Sequence, residues 1–393
     1  MNGTPTVPET CTLLQGSTEF FPALCLAMDN AVYEICFETY LFETAEQGEV
    51  VAQALESAAL RGVRVRVVLD GVGSRNISAQ WLARWRKAGV QCRFFSPLGT
   101  ARIWFPSRWR RLHRKLCVVD EQVAFCGGIN VLDDFYDPHI QGTLEHPRLD
   151  YAVRLLGPLV ADIHTTMAQL WWRLEVSGNL RARRIGAALD AWRGGEMWLA
   201  PAPAGRIRLV LRDNWRHRRS IARSYLQALR RARSEILIAN AFFFPARRLR
   251  LAMQHAAARG VRVRLILPGY YEYAVPYRAS RVVYRQLLDA GIEIMEYHAS
   301  YLHAKVAVVD GRWATVGSSN LDPLSLLLAR EANLVIQDEG FAGELKRRLE
   351  QAMLNGAHIV KPEFERLPWW EKWADLLAYA LMRTLIFLTA RRY

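Results

Sequence analysis

His113 and Lys115 stand two residues apart, and so do His303 and Lys305. An aspartate follows each pair, Asp120 or Asp310, and then a run ending in asparagine: Gly127-Gly128-Ile129-Asn130 or Gly317-Ser318-Ser319-Asn320. His303 follows His113 by 190 residues, and Asn320 follows Asn130 by the same 190. An imidazole beside an ammonium and an amide suits a phosphoryl group. Lysine offsets anionic charge, Asn and Ser donate to non-bridging oxygens, and histidine attacks phosphorus or protonates a leaving oxygen. Two such sets allow one histidine to be nucleophile and the other general acid, then general base. The two lysines take the part of a cation, so the chemistry calls for no metal and no cofactor.

The elements that must position these groups are hairpins. Asp310-Gly311 between two apolar runs is a two-residue turn signal. That loop pairs Val309 with Arg312, which sets His303 opposite Ser318 and Lys305 opposite Val316. Directly opposed and alternate residues share a face, so His303, Lys305, Ser318 and Asn320 are expected together. With Asp120-Glu121 as the loop, the same arithmetic groups His113, Lys115, Gly128 and Asn130. Asp120 and Asp310 belong to the catalytic motif but fall at the turns, which gives them a structural role there. An acid follows each copy in a similar setting: Asp150 in Arg148-Leu149-Asp150-Tyr151 and Glu331 in Arg330-Glu331-Ala332-Asn333. A carboxylate on the far ring nitrogen would fix the tautomer and support an imidazolium.

Around these motifs strands alternate with helices, which argues for an α/β sheet with parallel pairs. Helices are expected near 20–28, 48–59, 79–87, 221–232 and 249–258, and strands near 32–42, 63–69, 92–95, 235–244 and 261–267. The hexapeptide Arg-Gly-Val-Arg-Val-Arg occurs at 61–66 and again at 259–264. Two matches in step make an internal duplication. The Gly-, Pro- and Ala-containing stretch 193–205 marks the boundary, giving an N-terminal domain 1–195, a linker 196–205, a C-terminal domain 206–368 and a Trp-rich apolar tail 369–393. In the tail, Trp369, Trp370 and Trp373 precede an apolar run broken by Arg383. Asp375 and Arg383 make it a poor spanning helix; it reads as an interfacial helix or as one packed on its own domain.

The composition is that of a folded protein, with 51% apolar and 23% charged residues, and excludes a disordered chain. The net charge of +14 favours anionic partners: phospholipid headgroups, nucleic acid or phosphoesters. Six cysteines lie in the first third without a C-x-x-C pair, which fits free thiols better than a disulfide framework or a zinc site. No basic-then-apolar signal segment opens the sequence.

The paired motifs resemble the duplicated H-x-K-x(4)-D motif of the phospholipase D superfamily. Arg212-Asp213-Asn214, Ala239-Asn240-Ala241-Phe242-Phe243-Phe244-Pro245 and Val316-Gly317-Ser318-Ser319-Asn320-Leu321-Asp322-Pro323 resemble bacterial cardiolipin synthases of the short type without N-terminal membrane helices. The resemblance implies two α/β domains related by a pseudo-twofold axis, with one active site at their interface. It implies cardiolipin synthesis by phosphatidyl transfer between two phosphatidylglycerols, through a phosphohistidine and with release of glycerol. His113 and His303 would be nucleophile and acid, with family precedent leaning to His113 as nucleophile. Lys115, Lys305, Asn130, Ser318 and Asn320 would hold the phosphate, and Asp150 and Glu331 would orient the histidines. Departures from the pattern occur at Tyr270-Tyr271-Glu272-Tyr273 and Leu328-Ala329-Arg330, near where headgroup or acceptor is selected. The basic, aromatic stretch 102–111 suits a lipid-facing entrance, a single-stranded nucleic acid or a domain interface. The expected partner is an anionic phospholipid membrane rather than nucleic acid, with peripheral attachment to the cytoplasmic face of a bacterial inner membrane. Rival readings are a phospholipase D-type hydrolase or headgroup exchanger, and a superfamily nuclease. The oligomeric state is left open.

Overall fold

A computed structural model of the chain describes residues 9–97, 110–137, 142–181, 205–213, 217–270, 274–322, 329–360 and 368–390. It forms two compact units, Met1–Asp134 with Ala152–Leu209, and Phe135–Tyr151 with Val210–Tyr393. A contiguous division would leave residues 135–151 in the N-terminal domain, whereas they fold with the second unit. The reason is backbone pairing. Leu149 N–H donates to the Tyr301 carbonyl, and His303 N–H donates to the Leu149 carbonyl, both at 2.9 Å. The expected linker, 196–205, lies outside the described residues except for Gly205.

The principal strands of the first unit are β1 (Thr10–Gln15), β2 (Glu34–Thr39), β3 (Arg64–Asp70), β4 (Gln91–Phe95), β5 (Lys115–Val119), β6 (Val123–Gly127) and β7 (Tyr151–Leu156). They lie in the order β1-β7-β6-β5-β2-β3-β4. β2, β3 and β4 run parallel, and β5 joins β2 antiparallel. Helices α1 (Gly16–Asp29), α2 (Gln47–Leu60) and α3 (Ala79–Ala88) cover one face, where Val65, Val67 and Leu69 meet Leu24, Leu55 and Trp85. On the other face Val68 meets Leu170 and Trp171 of α4 (Leu159–Arg181). Burial on both faces explains why β3 carries the unbroken apolar run Val67-Val68-Leu69.

The second unit repeats this plan with β8 (Ile207–Arg212), β9 (Glu235–Asn240), β10 (Arg262–Pro268), β11 (Glu293–Tyr297), β12 (Lys305–Val309), β13 (Trp313–Gly317), β14 (Ala329–Gln337) and β15 (Ala357–Ile359). Their order is β8-β14-β13-β12-β9-β10-β11-β15, which matches the first sheet strand for strand and adds β15 at the edge. Helices α5 (Ser220–Arg231), α6 (Arg247–Ala258) and α7 (Ala274–Leu288) bury one sheet face, and α8 (Glu339–Gly356) follows β14. The tail forms α9 (Trp369–Ala390), which packs on α7.

The repeated hexapeptide has one structural job in both units. Gly62 and Gly260 take left-handed φ of 92° and 85° past the helix end, the conformation that favours glycine. Val63 and Val261 N–H then donate 3.1 Å bonds back to Ala58 and Ala256. The leading arginine reaches past its own helix to the C-terminal end of the one before it, α1 or α5: Arg61 donates to the Met28 carbonyl, and Arg259 to those of Leu229 and Ala232. The last arginine pairs with the first residue of the neighbouring strand, Arg66 with Glu34 and Arg264 with Glu235. Burial pushes the Glu34 carboxyl up, but the His164 hydrogen bond and the Arg66 charge outweigh it and bring it down to about 2.

Both motif hairpins depart from the expected register. Asp120 and Glu121 have φ of 51° and 54°, and Asp310 and Gly311 have 52° and 62°. Gln122 N–H donates to the Val119 carbonyl, and Arg312 N–H to that of Val309, so the tight turn itself is present. The ladder, however, pairs Val119 with Val123 and Val309 with Trp313. One extra residue after each turn shifts the pairing by one, in the manner of a bulge. Lys115 therefore lies opposite Gly127 rather than Cys126. His303, Lys305, Ser318 and Asn320 are not brought together by facing across the ladder, because β13 ends at Gly317.

The turn aspartates act as clasps. Asp120 accepts from the backbone N–H groups of Val32, Tyr33 and Glu34, each at 2.7 Å. Asp310 accepts from those of Arg233, Ser234 and Glu235 and from Ser234 Oγ, at 2.8–3.0 Å. Each clasp fixes the start of the strand beside the motif strand. Partial burial pushes the Asp310 carboxyl up, but the donors from Ser234, Glu235 and Arg233 outweigh it and hold it below its ordinary value. We expect Asp310→Asn to destabilise the second unit by about 1–3 kcal/mol at neutral pH. A depressed carboxylate stabilises above its unfolded pKa, and that contribution fades as pH falls through the folded one. The gap in Tm between wild type and Asp310→Asn should therefore shrink below about pH 4, as thermal melts across pH would show; a gap that widens on acidification would contradict the clasp.

Candidate active site

The half-site of the second unit is built on β12. Lys305 is wholly buried, and its ammonium donates to the carbonyl oxygen of His303 two residues earlier. Burying an ammonium is costly unless anions or carbonyl dipoles receive it. Here the Asp150 carboxylate lies 3.9 Å from Lys305 Nζ and 2.6 Å from His303 Nδ1. The Leu149 pairing with Tyr301 and His303 aims Asp150 at the ring, and Ser300 Oγ adds a 2.7 Å bond to the Pro147 carbonyl. With Nδ1–H donating to the carboxylate, the ring is held in the tautomer whose lone pair is on Nε2.

Gly317 closes this half-site from the other side. A Cβ there would fall 2.5 Å from the Ala332 carbonyl oxygen and 2.4 Å from Asn333 Cγ. That close approach lets Ser318 Oγ donate to buried Glu331 at 2.5 Å and accept from Ala332 N–H at 3.1 Å. Asn320 is buried at the crossing that follows, where Leu321 N–H donates to Asn240 Oδ1. Arg212 is buried in the same unit and donates to the Ala329 carbonyl. Burial brings its guanidinium down to about 10, against the opposing pull of Glu331, Asp322 and Asp213, so it remains charged at neutral pH.

The half-site of the first unit has the same lysine geometry. Lys115, buried at the start of β5, donates to the His113 carbonyl at 2.8 Å. Asn130 is buried after β6 and accepts from Leu41 N–H at 3.3 Å. The surroundings differ. The Tyr40 ring lies 4.9 Å from the His113 ring and 5.5 Å from Lys115 Nζ. Between the two motif residues Arg114 points away into a buried ion pair with Glu38, with Nη2 to Oε1 at 2.9 Å. Buried Asp70 accepts from Leu112 N–H at 2.7 Å and pairs with Arg111 at 3.2 Å, which fixes the approach to His113.

Each unit thus brings its own histidine and lysine together, and the second adds Asp150 to that pair. Asp120 and Asp310 sit at the far turns as clasps. Tyr40, Glu38 and Asp70 went unread in the sequence, because the second copy places Ala241, Ala239 and Pro268 at the matching positions and the repeat carries no signal for them. Most of the basic stretch 102–111, together with Tyr271–Tyr273 and Leu328, lies outside the described residues. Away from the motifs, Glu34, Cys36 and His164 have ligand-type atoms within 4.8 Å of one another. Their charges are already matched by the ion pairs of Glu34 with His164 and Arg66.

Two duplicated α/β units, each holding a His-x-Lys pair over a buried ammonium, define a phospholipase D-like phosphoryl-transfer enzyme. The family described as cardiolipin synthase, PLD-like domain, matches residues 24–135 and 225–353. Cardiolipin synthase B of Salmonella typhi is 36% identical, over 94% of this chain and 87% of the relative. Cardiolipin synthase B of Escherichia coli K12 is 37% identical with the same coverage. The solved structure of phosphatidylserine synthase from Haemophilus influenzae superposes with a TM-score of 0.69 at 16% identity, covering 96% of this chain and 94% of that one, a likeness of fold. The chain belongs to the cardiolipin synthase family of phospholipase D-like enzymes.

We expect Asp150→Asn to leave the fold intact and to lower turnover by about 10²–10⁴-fold, as loss of a tautomer-fixing carboxylate does elsewhere. Steady-state kinetics should place the loss in kcat rather than KM. Unaltered turnover would make Asp150 a packing residue only.

Proposed function

We propose that this chain is a cardiolipin synthase that transfers a phosphatidyl group from one phosphatidylglycerol to another. The observation that carries the reading is the twice-built His-x-Lys pair, with each lysine folded back on its histidine's carbonyl. It stands beside relatives named cardiolipin synthase B over most of the chain.

In this reading His113 attacks the donor phosphorus and forms a P–N bond as the P–O bond to glycerol breaks. His303, its imidazolium supported by Asp150, protonates the departing glycerol oxygen. The neutral His303 then takes the proton from an acceptor hydroxyl, whose oxygen displaces His113 from phosphorus. Cardiolipin leaves with both histidines restored. Lys115 and Lys305 offset the charge gathering on the non-bridging oxygens, with Asn130, Ser318 and Asn320 as donors to them. Glu331, through Ser318, sets that donor's direction. Asp120 and Asp310 keep the strands in place and touch no substrate. The contiguous domains 1–195 and 206–368 describe the sequence repeat, and the compact units describe the fold.

The partner in this proposal is an anionic membrane containing phosphatidylglycerol, with the enzyme attached peripherally at the cytoplasmic face of a bacterial inner membrane. The net charge of +14 supports an anionic surface. No helix among the described residues is long and apolar enough to cross a membrane.

Purified protein incubated with phosphatidylglycerol vesicles should yield cardiolipin and glycerol in equal amounts. His113→Ala and His303→Ala should each lower this by at least about 10³-fold. Phosphatidic acid in place of cardiolipin would make the protein a hydrolase, and cleavage of nucleic acid without lipid turnover would refute the lipid reading.

A further inference from the structure

The terminal helix α9 sorts its residues into two opposed faces. At about 100° per residue, Asp375, Ala378 and Met382 fall on one side, and all three are buried. Ala378 and Met382 join the core of the second unit. Asp375 pairs with Arg278 and Arg281 of α7 at 3.3 Å, and the Tyr379 ring tilts against Phe244. Trp369, Trp370, Trp373, Leu376, Leu377 and Leu381 fall on the opposite side and are 49–74% exposed. They follow one another at helical spacing and form one stripe.

A contiguous apolar stripe of this kind is uncommon on a soluble surface and marks a contact. Its composition selects the partner. Three tryptophans gather at one end, and the remaining described tryptophans are buried or half-buried. Indole rings prefer the boundary between headgroups and acyl chains. Lys372 and Arg383 are exposed along one flank of the stripe. Asp375 and Glu371, the helix's acids, are instead turned to Arg278 and Arg281. The apolar face therefore carries cations at its edge and no carboxylate, which complements anionic headgroups around an acyl phase.

We propose that α9 is a membrane-docking helix that lies in the plane of an anionic bilayer. Its Trp/Leu stripe enters the acyl boundary while its opposite face stays fixed to α7. The proposal deepens the lipid reading by naming the surface that meets the bilayer. It does not need that reading's chemistry to hold.

Removing the helix would take Ala378 and Met382 out of the core of the second unit, so the test uses substitutions confined to the stripe. The full chain, Trp369→Ser/Trp370→Ser/Trp373→Ser and Leu377→Glu/Leu381→Glu would be sedimented with vesicles of phosphatidylglycerol and phosphatidylcholine, and with phosphatidylcholine alone. Each variant should lose at least about tenfold in partitioning onto anionic vesicles. Its melting curve, and its turnover of detergent-dispersed phosphatidylglycerol, should match wild type. Wild-type partitioning by both variants would overturn the proposal. So would a dimer of the wild-type chain that the substitutions dissolve, since a second copy would then be what covers the stripe. If the detergent assay shows no turnover for the wild type while vesicle binding still depends on the stripe, the lipid chemistry fails and the docking surface stands.

Discussion

A lysine ammonium held out of water at the start of each motif strand is the constraint on which the rest of the site depends. Isolated in an apolar interior, such a charge would not survive. Each unit meets it first with the carbonyl of the histidine two residues back, and this bond ties the ammonium to the imidazole's own backbone. In the second unit Asp150 completes the arrangement, serving Lys305 and His303 together. The lysine, the ring and the carboxylate are therefore one electrostatic object. An incoming phosphodiester would meet a charge already desolvated and already aimed, without reorganisation at the moment of reaction.

The two units solve the same folding problem and then diverge where chemistry begins. Their sheets agree strand for strand, their motif turns share the left-handed pair and the extra residue, and their turn aspartates clasp matching backbone. The residue between histidine and lysine shows the divergence. Arg114 pairs with buried Glu38, whereas the matching residues of the second copy, Ala304 and Ala239, carry no charge. Around the imidazoles, Tyr40 lies against His113 and Asp150 against His303.

Much of this was legible in the sequence because periodicity and repetition both leave marks. The strand at 262–268 and the helix before it could be read from Arg259-Gly260 and the apolar run, since a C-capping glycine and a twice-buried strand have local signatures. Asp150 and Glu331 were legible as acids trailing each motif, but not that Asp150 serves the second histidine. That depends on Leu149 bridging to Leu302, a long-range pairing with no local trace. The hairpin register was misjudged by one residue in both copies, because Asp-Gly and Asp-Glu predict the turn while Gln122 and Arg312 give no sign of being extra. The short strand β1 precedes the first element the sequence predicts, since pairing with β7 rather than propensity makes it a strand.

The tail shows how a composition can support two readings until geometry separates its residues. Trp, Leu and Ala with one aspartate suit a helix packed on its own domain and equally a helix at a bilayer. With about 3.6 residues per turn, the readings need not compete. Asp375, Ala378 and Met382 satisfy the first on one side, while the tryptophans and Leu377 stand exposed on the other, where the second would need them. Arg278 and Arg281 decide the rotation, since Asp375 must face them and the stripe must then face out. A residue that made the segment look too polar to enter a membrane is thus the one that turns its apolar side outward.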